Sequence, residues 1–258
     1  MLLTIDAGNT NTVFALFDDD SKMRGHWRIS TDARRTSDEY AVWLNQLMAL
    51  SRIRPIEISG AIIASVVPSA TFNLLGLCRH HYSCEALIVG AEGVELGVEA
   101  KIKNPSEAGA DRLVNTVGAR MSFEPPLIVL DIGTATTFDV VDEDGNYAGG
   151  AIAPGPNPSL DALHQVAAKL PRIEIMEPEA AIGKSTIQCM RSGIFWGYVG
   201  LIEGIVARIK REYGRPMLVI GTGGLSKLFI RSTDVIDHID DQLTMRGLIH
   251  IYHLNRKA

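Results

Sequence analysis

The sequence predicts an α/β protein made of two related halves, each carrying its own sheet and helices. Three observations lead there. Residues 2–18 read LLTIDAGNTNTVFALFD and residues 127–142 read LIVLDIGTATTFDVVD. Both are an apolar run, an Asp-x-Gly turn, small hydroxyl or amide residues and a second apolar run. Asp6 aligns with Asp131, Gly8 with Gly133 and Thr12 with Thr137, about half the chain apart. Strand-like and helix-like patterns alternate on both sides of the Pro125-Pro126 break. The bulk composition fits: 258 residues leave room for two moderate domains, and 46% hydrophobic with 21% charged is ordinary for a globular chain.

The elements follow in order. Leu2–Ile5 and Thr12–Phe17 read as a hairpin, with Asp6 to Asn11 as the turn and Gly8 free to take positive φ. Residues 37–51 have helical spacing, with Tyr40, Trp43, Leu44, Leu47 and Met48 on one face after a Ser-Asp-Glu start. Ile62–Val67 is a buried-type strand stopped by Pro68, residues 69–78 read as a helix and Ala86–Val89 as a strand. The first half thus runs strand, strand, helix, strand, helix, strand. Ala110-Asp111-Arg112-Leu113 starts a further helix after a glycine hinge.

In the second half, Leu127–Leu130 and Thr137–Val141 form the second hairpin and Tyr147–Ala153 a third strand. Residues 159–170 and 185–213 are predicted helices. Met217–Ile220 is a strand, followed by the loop 221–224 and another helix, and short helices and strands finish the chain. The long helix holds Gly193, Gly197, Gly200 and Gly204. Glycine costs about 1 kcal/mol per helical position relative to alanine, so four of them call for close helix packing inside the domain, a subunit interface, or both.

Several function classes are excluded. A net charge of −5 gives no basic stripe for nucleic acid. The start MLLTID places an acid inside any signal-peptide core, and the most apolar stretch, GIFWGYVGLIEGIV, is broken by Glu203 short of the ~18 residues a membrane span needs. Cys78, Cys84 and Cys189 are an odd number without C-x-x-C, which points to reduced thiols, a cytoplasmic setting and no zinc site.

The two Asp-x-Gly turns carry the chemistry. Glycine-rich turns expose backbone N–H groups to anions, and a nearby carboxylate can hold Mg²⁺ against phosphate oxygens. The other reading is a polar hairpin turn, where Asp and Gly are common; two copies at matching places favour phosphate binding. Gly221-Thr222-Gly223-Gly224 follows a strand but is not G-x-G-x-x-G, because position 226 is Ser. Gly183-Lys184-Ser185-Thr186 imitates the end of a P-loop, yet Pro178 stands where its first glycine belongs, so these residues read as a helix start that can grip a substrate oxygen. Asp111, on spacing alone, is a helix cap beside an Arg112 surface pair. His80, His81 and His164 have no ligand pattern around them.

DAGNTNT (6–12), GADR (109–112), DIGTATTFD (131–139), GKST (183–186) and GTGG (221–224) occur in this order over nearly the whole chain. In these blocks the chain resembles the type III pantothenate kinases of the acetate/sugar kinase–Hsp70–actin superfamily. The resemblance implies two ribonuclease-H-like domains, here residues 1–119 and 120–258, with the active site in the cleft between them. It implies ATP-dependent phosphorylation of the terminal hydroxyl of pantothenate on the way to coenzyme A. It also implies Mg²⁺, a monovalent cation (K⁺ or NH₄⁺) and a homodimer whose interface helps build the pantothenate pocket.

Carried over by position, Asp6, Ala7, Gly8, Asn9, Thr10, Asn11, Thr12 and Val13 form the first phosphate loop for ATP, and Asp6 holds Mg²⁺ through water. Asp131 binds the monovalent cation and Thr134 the ATP phosphates. Gly221, Gly223 and Gly224 face the adenosine. Gly109, Ala110, Asp111 and Arg112 line the pantothenate site with Thr186, and Asp111 becomes the general base. Many relatives carry Tyr two residues before the Asn-Pro that precedes GADR; here that residue is Ile102. No arginine finger is evident, so cations and loop N–H groups are left to stabilise the transferring phosphoryl. Two other readings are a kinase of the same fold for a sugar or carboxylate, and a non-catalytic nucleotide-binding regulator. GADR and Thr186 speak against the first, and the presence of Asp6, Asp111 and Asp131 against the second.

Overall fold

Leu2–Ala7 (β1) and Asn11–Phe17 (β2) pair antiparallel from Leu2↔Phe17 to Ala7↔Thr12 in a computed structural model that describes residues 1–166 and 170–256. Met23–Ser30 (β3) continues the antiparallel ladder. Ser37–Leu50 (α1) starts on a capping box: the Thr36 hydroxyl accepts from the Glu39 N–H, and the Glu39 carboxylate accepts from the Thr36 N–H. Gly60–Ser65 (β4) lies parallel to β1, Pro68–Gly76 (α2) follows, and Ala86–Ile88 (β5) closes a sheet of order β3-β2-β1-β4-β5. Ala110–Ser122 (α3) leads out of the sheet.

The second sheet repeats this plan. Leu127–Ile132 (β6), Ala135–Val141 (β7) and Tyr147–Pro154 (β8) form an antiparallel meander. Pro156–Val166 (α4) and Thr186–Tyr213 (α5) come next. Leu218–Thr222 (β9) is parallel to β6, then come Ser226–Phe229 (α6), His238–Ile239 (β10) and Leu243–Asn255 (α7). The order β10-β9-β6-β7-β8 is the first sheet's order read from its other edge. The burial of β6 and β7 matches that of β1 and β2 residue for residue. These are two copies of one plan.

Strand alternation sorts the cores. Leu3, Ile5, Phe14 and Leu16 face α1 and α2 through Tyr40, Leu44, Met48 and Leu74. Leu2, Ala15, Ile62 and Ala64 face the other way, toward Val114 and Val117 of α3 and Met245, Leu248 and Ile251 of α7. In the second sheet, Ile128, Leu130, Ile132 and Phe138 pack on Phe195, Tyr198, Val199, Ile202 and Val206 of α5. By length and composition α5 could cross a membrane, with mean hydropathy 1.2 over 18 residues and 33% of that window buried. Glu203 interrupts its apolar run. Its apolar content is accounted for in part by the core face just named.

Three expectations need correction. β3 is absent from the predicted order of the first half. It is an edge strand whose Arg24, His26 and Arg28 are exposed, so only Trp27 and Ile29 carry an apolar signal. The helix predicted over 159–170 starts earlier, at Pro156, and is helical to Val166; residues 167–169 lie outside those described, and Leu170 sits in a bend. The chain ends in a 13-residue helix, α7, not in short pieces.

The chain divides into one compact unit of Met1–Ser122 with the stretch from Gln242 onward, and a second of Phe123–Asp241. The expected split put everything after residue 119 in one domain. What returns α7 to the first unit is its packing on α3. A Cβ at Gly118 would run into the Leu243 carbonyl, and one at Gly247 would run into the Val114 carbonyl. The two helices therefore cross backbone to backbone at glycine.

Candidate active site

Each Asp-x-Gly turn ends a central strand. In the first, Asp6 pairs with Val13 and Ala7 with Thr12, and the Gly8 N–H donates to the Asn11 carbonyl at 3.0 Å. In the second, Asp131 pairs with Thr137 and Ile132 with Thr136, and the Gly133 N–H donates to the Ala135 carbonyl at 3.0 Å. The first turn is one residue longer. The structural counterpart of Thr12 is therefore Thr136, not Thr137 as the residue-by-residue alignment has it.

Both matched threonines are fully buried and their hydroxyls are used inside the protein. Thr31 donates to the Gly8 carbonyl at 2.7 Å, so Thr12 donates to Thr31 Oγ1 at 2.9 Å. The Thr31 N–H also donates to the Thr10 carbonyl at 2.9 Å. Thr31 thus clamps the turn from just beyond the end of β3, and the sequence carries no signal for this role because β3 itself is absent from the predicted order. Thr136 and the Tyr198 hydroxyl of α5 bond to each other. Asn9, Thr10 and Asn11 of the first turn and Thr134 of the second are exposed.

Asp6 is half-buried. By alternation it follows Leu2 and Thr4 onto the face that carries α3 and α7, where the Thr4 hydroxyl meets Met245 Sδ at 3.3 Å. Asp111 stands in the first turn of α3, half-buried like its neighbours Gly109, Ala110 and Arg112. Asp6 and the helix that carries Asp111 thus share one side of the first sheet. Asp111 Oδ1 accepts from the Arg112 N–H at 2.8 Å, one of the first-turn donors with no partner in the helix ladder. A carboxylate is favoured there by the helix dipole. A capping role and a catalytic role for Asp111 are therefore compatible. Arg112 reaches back to the Glu107 carbonyl at 3.5 Å, and Ile102 is half-buried in the preceding loop.

Asp131 lies on the face of the second sheet away from α5, beside Thr222 across the ladder. Gly223, at φ +88°, brings its backbone against this acid: a Cβ there would overlap Asp131 Oδ1 and lie 2.6 Å from the Ile132 carbonyl oxygen. Thr137, the cross-strand partner of Asp131, donates to Asp139 Oδ2 at 2.7 Å, and Asp139 is fully buried. Gly155 closes on the same turn, its N–H donating to the Thr134 carbonyl at 2.9 Å. Gly221 has a packing reason of its own, since a Cβ there would stand 2.6 Å from Ile239 Cδ1. Gly224 is exposed.

Thr186 opens α5 and is exposed; Ser185 caps the helix by accepting from the Gln188 N–H at 3.3 Å. The α5 glycines now part company. A Cβ built at Gly193, Gly197 or Gly200 meets no described atom within 4 Å, and at Gly204 it meets only Arg208 of the same helix, at 3.2 Å. Among the described residues, then, no other element packs closely on these glycines. Among the described residues no group of three or more His, Cys, Asp or Glu is placed to hold a metal.

Comparison with known proteins fits these blocks. The family model described as type III pantothenate kinase matches residues 2–208. A type III pantothenate kinase of Paramagnetospirillum magneticum is 58% identical over 255 residues, covering 99% of this chain and 98% of its own. One of Caulobacter vibrioides is 53% identical, with 100% and 99% covered. Among solved structures, a protein described provisionally as a 2-dehydro-3-deoxygalactonokinase from Sinorhizobium meliloti aligns with a TM-score of 0.66 at 12% identity, covering 98% of this chain and 96% of its own. The activator of the 2-hydroxyisocaproyl-CoA dehydratase from Clostridium difficile aligns at 0.56 and 9% identity, covering 98% and 95%. At such identity these two share the fold alone, the two-domain ribonuclease-H-like architecture of actin and Hsp70.

Proposed function

Since the chain belongs to the type III pantothenate kinases, we propose that it transfers the γ-phosphoryl group of ATP to the terminal hydroxyl of pantothenate, opening the route to coenzyme A. The observation that carries this reading is the duplicated Asp-x-Gly turn, at the same strand end of two equivalent sheets, in a chain 58% identical to a named pantothenate kinase. Phosphoryl transfer asks mainly for positioning and charge neutralisation, and a duplicated turn with an acid and small polar side chains suits both.

In this reading the turn from Asp6 to Val13 cradles the ATP phosphates, with Thr134 contributing from the second turn and Gly221, Gly223 and Gly224 facing the adenosine. Gly109 to Arg112 and Thr186 hold pantothenate. The substrate oxygen bonds to the γ-phosphorus as the bond from phosphorus to the β,γ-bridging oxygen breaks, and Asp111 takes the hydroxyl proton. The Arg112 N–H on Oδ1 fixes the carboxylate, so the second oxygen serves as acceptor.

Asp6 and Asp131 suit cations. Each carries hard carboxylate oxygens beside a main-chain turn, the donor type that such cations prefer. Mg²⁺ at Asp6 and K⁺ or NH₄⁺ at Asp131, when bound, neutralise phosphate charge. The glycine face of α5, with Trp196 36% exposed beside it, serves a second copy of the chain, making a homodimer. A cytoplasmic setting, where ATP and pantothenate meet, goes with this function.

Mass spectrometry of the products of ATP, Mg²⁺ and pantothenate tests the reaction. Phosphopantothenate should form in step with ADP. ATP turnover indifferent to pantothenate would sink the assignment.

A further inference from the structure

Cys78 and Cys84 stand at the two ends of a tightly clamped loop. Residues 77–81 form a single π turn after α2, and Ser83 takes a left-handed φ of +52° that turns the chain back on itself. The Cys84 N–H then donates to the Cys78 carbonyl at 3.1 Å, and the Tyr82 N–H donates to the same carbonyl at 3.2 Å. From outside, Arg79 Nε and Nη2 donate to the two Glu85 oxygens at 2.9 and 3.0 Å. The bond between Cys84 and Cys78 puts the two residues' backbones in direct contact, and a disulfide needs Cα atoms only within ~4.4–6.8 Å. The loop thus returns Cys84 to the residue from which it set out. Cys78 is fully buried in the first unit's core, while Cys84 is half-buried at its edge.

We propose that Cys78 and Cys84 are a redox modification site, forming a reversible intramolecular disulfide by exchange with a low-molecular-weight disulfide. Cys84 is the attacking thiol, being the more accessible of the two. The neighbouring Cys78 thiol lowers its pKa, against the opposing effects of burial and Glu85. The Cys84 thiolate attacks one sulfur of the incoming disulfide, whose S–S bond breaks and releases one thiolate. That thiolate takes the proton of Cys78, whose sulfur attacks the Cys84 sulfur, breaks the mixed S–S bond and expels the second thiolate, which takes from water the proton that Cys84 gave up. One external disulfide is reduced to two thiols and one protein disulfide forms. Cys189, exposed at the start of α5, is the built-in contrast: it can take up a mixed disulfide like any surface thiol.

The test incubates the full chain with oxidised glutathione, blocks remaining thiols under denaturing conditions and maps tryptic peptides. Trypsin cuts after Arg79, so a bridge joins two separate peptides that dithiothreitol parts. The expected result is a Cys78–Cys84 linked pair and glutathione on Cys189. Cys84→Ser should leave Cys78 fully blocked by alkylation. Stable glutathione on Cys84 with Cys78 alkylated, or both thiols alkylated after treatment that modifies Cys189, overturns the proposal. The wild-type map stands even if a variant folds poorly, and neither readout depends on kinase activity.

Discussion

Gly223 and Asp131 occupy one small volume: with φ at +88° and no Cβ, the glycine backbone lies directly against Asp131 Oδ1. Gly223→Ala would force both a strained backbone and a displaced acid. The expected cost is about 1–3 kcal/mol of stability, read as a lower urea midpoint, together with weaker stimulation by K⁺ in the kinase assay. Unchanged stability and cation response would separate Gly223 from Asp131.

Asp111→Asn keeps the shape of the side chain and an oxygen for the Arg112 N–H, but removes the base. Turnover should fall ~10²-fold or more, while calorimetry finds ATP binding unchanged. Near-normal turnover would leave Asp111 with its capping role alone.

The crossing of α3 and α7 at Gly118 has no room for a methyl group. Gly118→Ala should destabilise the first unit by about 1–3 kcal/mol, the usual scale of overpacking, measured by thermal unfolding. A neutral result would mean that α7 does not pack on α3 as described.

Thr36→Ala removes the hydroxyl of the capping box that starts α1 and should cost about 1 kcal/mol. The acid limb tests the other half of the box. Hydrogen bonds from the Thr36 backbone, then from its side chain, hold the Glu39 carboxyl below its ordinary 4.5. A depressed folded-state pKa means that this stabilisation is full above 4.5 and fades as pH falls through the lower folded-state value. Glu39→Gln should flatten that limb of a stability–pH curve.

Gly197 faces open space within the chain, so Gly197→Arg should fold as well as wild type. If the α5 face joins two copies, analytical ultracentrifugation should show the variant as a monomer and the wild type as a dimer. Identical sedimentation would place the interface elsewhere or remove it.

Local chemistry made much of this legible in the sequence. Asp6, Asp131 and the flanking apolar runs declare two strand ends with matching Asp-x-Gly turns, because strand, acid and glycine are adjacent in the chain. The start of α3 at Ala110 and that of α5 near Ser185 and Thr186 were readable for the same reason. What depended on distant partners was not. β3 hides as an edge strand of alternating arginine and histidine, and with it Thr31, which holds the Gly8 turn. Matching residues by identity pairs Thr12 with Thr137, whereas the hydrogen-bond register, set by one extra turn residue, pairs it with Thr136. The return of α7 to the first unit is decided by two glycines far apart in sequence, and Cys78 meets Cys84 only because of a π turn and a left-handed serine.

The most direct test of the central claim is ADP release from ATP and Mg²⁺, with and without pantothenate, in K⁺ and in Na⁺. Release that requires pantothenate and rises in K⁺ is the expected result. Release that ignores pantothenate, or none in either salt, would contradict the account.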